Sequence, residues 1–184
     1  DSGSFSLSTG DSSNGKAGSM TLSIGTGDIG DGGLFALDVG DTTGASGDGG
    51  SIKIEAGHAT SGQVNDGGSI TVTAGHTKGT ERSDDGGSIK IDAGEALTGN
   101  GGNIAASTGY STSTSSGAFV FKTPNSGAKG VSGSFTFETG KASSGDSGSF
   151  SLSTGDSSNG KAGSMTLSIG TGDIGDGGLF ALDV

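Results

Sequence analysis

The sequence predicts an all-β fold: a repetitive β-solenoid of 15–19-residue coils, with an antiparallel β-meander stack as the alternative topology. Three observations lead there. Residues 1–39 and 146–184 are identical, letter for letter, at an offset of 145. A short head of the form Gly-Ser-Φ-x-Φ-x-x-Gly, where Φ is apolar, recurs every 15–19 residues along the chain. Within each head apolar and small polar residues alternate with a period of two, the pattern of a strand with one face turned inward.

Internal repetition decides how everything else is read. A chain that opens and closes on the same 39 residues reads as a window onto a tandem array. On that reading residues 1–145 form one long repeat of nine short units, and residues 146–184 begin the next. The heads start at Gly3, Gly18, Gly33, Gly50, Gly68, Gly87, Gly102, Gly117 and Gly133, then again at Gly148, Gly163 and Gly178.

The head of the fourth unit illustrates the strand reading. In Ser51-Ile52-Lys53-Ile54-Glu55-Ala56, the residues Ile52, Ile54 and Ala56 share one side, and Ser51, Lys53 and Glu55 share the other. β-branched and aromatic residues hold the inward positions, as strands prefer. Down the units the first inward column is Phe5, Met20, Phe35, Ile52, Ile70, Ile89, Ile104, Phe119 and Phe135. The second is Leu7, Leu22, Leu37, Ile54, Val72, Ile91, Ala106, Phe121 and Phe137. Ile follows Ile and Phe follows Phe, so units adjacent in sequence are expected to be adjacent in a ladder.

Segments such as Asp11–Ala17 and His58–Gly67 separate the heads and absorb the length variation. Their Gly, Ser, Thr and Asn content is turn chemistry. In a solenoid they return along the opposite wall; in a meander Asn14-Gly15 is a hairpin turn. Nine coils at the spacing of stacked strands would advance about 43 Å per long repeat. One coil buries about three side chains, too few to offset the ordering of its backbone, so stacking is obligatory.

Composition narrows the function. Glycine makes up 42 of 184 residues, about three times the usual ~7%, with one proline and no Gly-X-Y period, which excludes collagen. The formal net charge of −11 opposes binding to nucleic acid or anionic lipid. Cysteine is absent, so neither a disulfide framework nor thiolate chemistry is available. No apolar run reaches membrane-spanning length. No pairing of the two histidines with nucleophile or acid forms a recognisable catalytic set, and the chain reads as a non-enzyme.

The outward positions are mostly Ser and Thr, among them Ser4, Ser6, Ser8, Thr71 and Thr73. Lys53 and Lys90 are separated by the Thr71 unit, and Glu55 and Asp92 by Thr73, which keeps like charges off adjacent rungs. Leu34-Phe35-Ala36-Leu37 and Ala118-Phe119-Val120-Phe121 are apolar on both sides. Strands of that kind are usually covered on both faces, so Leu34, Ala36, Ala118 and Val120 are candidate lateral contacts between chains.

Other constellations are weaker. His58 and His76 each follow a strand-ending glycine and would stack beside Asp41 and Glu95, the outline of a metal clip. The Asp-Gly-Gly entries at residues 48–50, 66–68 and 85–87 place Asp before the glycines, with a period unlike that of calcium-binding β-rolls. The expectation is no cofactor, with calcium bridging of acidic surfaces as the one exception considered. Thr71 and Thr73 supply too little of a repeated lattice for ice binding. The sequence has no Asn-x-Ser/Thr sequon, and its Ser/Thr surface would accept only O-linked glycans.

Units such as Val131-Ser132-Gly133-Ser134-Phe135-Thr136-Phe137-Glu138-Thr139-Gly140, followed by Ala142-Ser143-Ser144-Gly145, resemble the long Gly/Ser/Thr tandem-repeat proteins of algae and aquatic protists such as diatoms. The resemblance extends over the whole chain. It implies a large secreted or cell-surface protein and carries over no functional residue. The expected function is structural: a self-associating extracellular filament or surface coat, with an adhesin-type stalk or a surface- or glycan-binding module as the alternative.

Overall fold

The computed structural model describes residues 2–60, 64–79, 84–175 and 177–183. The middle of the His58–Gly67 segment therefore lies outside the described residues. Among the described residues there is no helix and no strand, and no residue is buried. Both expected topologies, the β-solenoid and the antiparallel meander, are overturned. The chain is largely coil.

The reason lies in how one unit joins the next. A solenoid coil must carry its return segment the length of a strand, so that each head starts beside the start of the previous head. Here each intervening segment ends where it began. The amide of Gly50 donates to the carbonyl of Gly40 at 2.8 Å, Gly68 to Gly57 at 2.8 Å, and Gly87 to Gly75 at 2.8 Å. Gly102 donates to Gly94 at 2.9 Å, and Gly117 to Gly109 at 2.9 Å. In each case the entry glycine of a head bonds the glycine that closes the head before it. A segment whose two ends share a hydrogen bond crosses no distance, so successive heads meet tail to head.

The same junction recurs where that bond is absent. A Cβ placed on Gly18 would lie 3.2 Å from Cβ of Thr9, and one on Gly33 would lie 2.5 Å from Cγ2 of Ile24. At Gly133, Gly148 and Gly163 the neighbours are Thr123, Thr139 and Thr154, each from the end of the preceding head. A meander would share this tail-to-head junction but would then add ladder bonds. The only other backbone–backbone bond among the described residues closes a turn, from Gly130 to the carbonyl of Gly127 at 3.2 Å.

The intervening segments bend at residues 13–15, 28–30, 44–46, 97–99, 112–114, 143–145, 158–160 and 173–175. Their side chains supply the local bonds. Ser111 Oγ accepts the amides of Ser113 and Thr114, at 3.2 and 2.9 Å, and Thr42 Oγ1 donates to the Asp48 carbonyl at 2.7 Å. This is how Ser and Thr compete with regular secondary structure for backbone groups. Gly30 and its sequence twin Gly175 hold φ of 81° and 90°, a left-handed conformation that a side chain would strain.

The chain divides into two units, Asp1–Asp92 and Ala93–Val184. This division does not follow the 145-residue period, since Asp146 lies inside the second unit.

Candidate assembly face

Although no ladder forms, the alternation inside each head survives. Ring centroids of Phe119 and Phe121 lie 4.6 Å apart edge to face, as do those of Phe135 and Phe137. Residues two apart can touch this way only if the backbone between them is extended enough to send alternate side chains to opposite sides. The outward positions agree. Lys53 pairs with Glu55, and Lys90 Nζ lies 2.6 Å from Asp92 Oδ2.

Successive heads connect through the apolar columns, from the second column of one unit to the first column of the next. Phe121 meets Phe135 at 5.8 Å, and Phe137 meets Phe150 at 5.9 Å. With the two edge-to-face pairs these contacts join five phenylalanines in a row within the second unit. Their effect on exposure appears in a pair of sequence twins. Phe150, with Phe137 beside it, is 64% exposed, whereas Phe5 is 90% exposed.

All the column residues remain exposed. In the Ile-rich heads of the first unit the second column is the more open: Ile52 is 49% exposed and Ile54 72%, and Ile70/Val72 and Ile89/Ile91 repeat that order. The first-column residues Met20, Phe35, Ile104, Phe119 and Phe135 and the second-column residues Leu7, Leu22, Leu37, Phe121 and Phe137 are likewise exposed. In the 50–57 and 68–75 heads the third position on the same side is better covered. Ala56 and Ala74 are half-buried because the next entry glycine, Gly68 or Gly87, closes over them. The alternation in the sequence marked Ala56 as inward but held no sign that a neighbouring backbone would cover it.

The doubly apolar heads present both sides to solvent. Leu34 is 84% exposed and Val120 76%, and Ala36 and Ala118 are exposed as well. In the second unit Thr166, Leu167, Ser168, Ile169 and Phe180 line a shallow open groove where one head meets the next.

The metal reading finds no support among the described residues, where no group of three or more His, Asp or Glu side chains gathers. His58 turns instead to its own head, with Nε2 3.1 Å from Glu55 Oε1. Glu55 thus has an ammonium and an imidazole beside it on an open surface. The Lys53 ammonium first, and the His58 ring second, hold its carboxyl below the ordinary carboxylate range. That Lys53 and Glu55 share a side was legible in the sequence; the His58 contact across the head's closing glycine was not. Among the described residues no helix is long and apolar enough to cross a membrane.

No family model, curated protein or solved structure matches this chain.

Proposed function

We propose that this chain is a structural repeat protein that self-associates into an extracellular filament or surface coat, burying in other copies the apolar columns it leaves open on its own. One observation carries the reading. Every head displays a pair of apolar side chains on one side, yet no described residue is buried. Contiguous apolar surface left open on a regular repeat is the mark of an interaction face, and repeat units without a core of their own gain stability only from neighbours. Lateral contact between chains supplies what the tail-to-head junctions do not. The secreted or cell-surface setting rests on the resemblance to Gly/Ser/Thr tandem-repeat proteins.

The test is sedimentation of the purified chain over a range of concentrations, followed by negative-stain imaging of the heaviest fraction. Concentration-dependent growth into regular fibres or sheets is the expected result. A chain that remains monomeric up to millimolar concentration would overturn the proposal, and discrete rods bound to a glycan or mineral surface would favour the adhesin-type module.

A further inference from the structure

The Ile-rich heads of the first unit carry charge in an order that selects a partner and a direction. Lys53 precedes Glu55 in one head and Lys90 precedes Asp92 in another, and the head between them holds neutral Thr71 and Thr73 at the same positions. Each Lys pairs with the acid two residues on, so the charges of a head lie on one side, with the isoleucines in the alternate positions. Among the described residues none of the backbone–backbone hydrogen bonds falls within 51–56, 69–74 or 88–92. These three stretches offer open backbone edges, exposed isoleucines and an ordered set of charges together.

We infer that the three heads 50–57, 68–75 and 87–94 pair with the same heads of a second copy, antiparallel, about a two-fold axis through the Ile70–Val72 head. This deepens the self-association proposed above and rests on it. Under that two-fold the 50–57 head of one copy lies against the 87–94 head of the other. Reversal of direction sets Lys53 against Asp92 of the second copy and Glu55 against Lys90. The central head then pairs with itself, Thr71 opposite Thr71 and Ile70 opposite Val72, with no charge to oppose. On the other side the same register sets Ile54 against Ile91, Ile52 against Ala93 and Ala56 against Ile89. A parallel, in-register pairing would instead set Lys53 on Lys53 and Glu55 on Glu55, and like charges directly opposite one another are destabilising. The antiparallel arrangement is isologous, as a two-fold dimer requires.

The two head spacings fit the axis. Gly50 lies 18 residues before Gly68, and Gly87 lies 19 after it, so the charged heads flank the neutral one almost symmetrically. The intervening segments close on themselves at Gly57–Gly68 and Gly75–Gly87, which removes most of the effect of that one-residue difference.

Exchanging charges within a head tests the direction without altering composition or net charge. The double variant Lys53→Glu with Glu55→Lys keeps an ion pair inside its own head but sets acid on acid and lysine on lysine across the axis. The double variant Lys90→Asp with Asp92→Lys does the same from the other head. Each should weaken self-association of the full chain roughly tenfold in low salt, as read by sedimentation equilibrium. The quadruple variant re-pairs every charge and should restore the parent affinity. If it associates no more tightly than either double variant, or if the double variants match the parent, the antiparallel register falls while self-association stands. If the parent chain does not associate at all, both fall.

Discussion

At the scale of single residues, the glycines of an Asp-Gly-Gly entry have different roles. Gly50 carries the loop-closing bond to Gly40, and a Cβ there would lie 3.0 Å from Val39 Cβ and 3.2 Å from the Gly40 carbonyl. Gly49 beside it has open space around it. Gly50→Ala should therefore lose the closure, at a cost of about 1 kcal/mol, and Gly49→Ala should keep it. Amide hydrogen exchange at residue 50 reads the difference: unprotected in the first variant, unchanged in the second. Glu55 provides a second residue-scale prediction. Its carboxyl titrates below the ordinary range because Lys53, and then His58, stabilise the ionised form. A lowered folded-state value means that this contribution is present above the unfolded carboxylate range and is lost as pH falls through the folded value. An NMR titration should show Glu55 below the ordinary carboxylate range, and Lys53→Ala should raise it toward that range. Added salt should shrink the shift, since the group is exposed.

At the scale of the unit, a head and its closed loop behave as two parts with separate causes. The head keeps its alternation because extended backbone sends neighbouring side chains to opposite sides whether or not a ladder forms. The loop closes because two glycines, lacking side chains, let backbone meet backbone. The column residues were therefore legible in the sequence: the contacts of Phe119 with Phe121 and of Lys53 with Glu55 follow the period of two. The connection between heads was not. Clusters of like residues, Ile after Ile and Phe after Phe, fit side-by-side stacking and tail-to-head contact equally well. Only the meeting of Phe121 with Phe135 and of Phe137 with Phe150 separates the two. Phe135 stands in the middle of that row. Phe135→Ala should remove the ring-current contribution that Phe121 and Phe137 receive from it, leaving those of Phe119 and Phe150, and cost about 0.5–1.5 kcal/mol in pairing beyond lost area. Phe5→Ala, at a site with far more exposure, should leave those resonances where they are.

For the molecule as a whole, repetition and charge act together. A formal net charge of −11 and a sequence pI near 4.2 oppose the association of separate chains at neutral pH, against the drive of their open apolar columns. Self-repulsion fades as the net charge approaches zero, so turbidity should rise steeply as pH is lowered toward 4.2 and reverse on return to neutrality. Association that was insensitive to pH over that range would place the control elsewhere. The order of amino acids alone determined the alternation within each head, the 15–19-residue spacing, the 145-residue return and the acidic surface, since each is a property of neighbours along the chain. Where one head lies relative to the next was decided only in three dimensions. The entropic cost of closing a Gly-rich loop changes little over the 8–12 residues that separate these glycines, so composition does not say whether such a loop travels or returns. The hydrogen bonds from Gly50 to Gly40 and from Gly68 to Gly57 settle it, and they leave the apolar columns without a partner inside the chain.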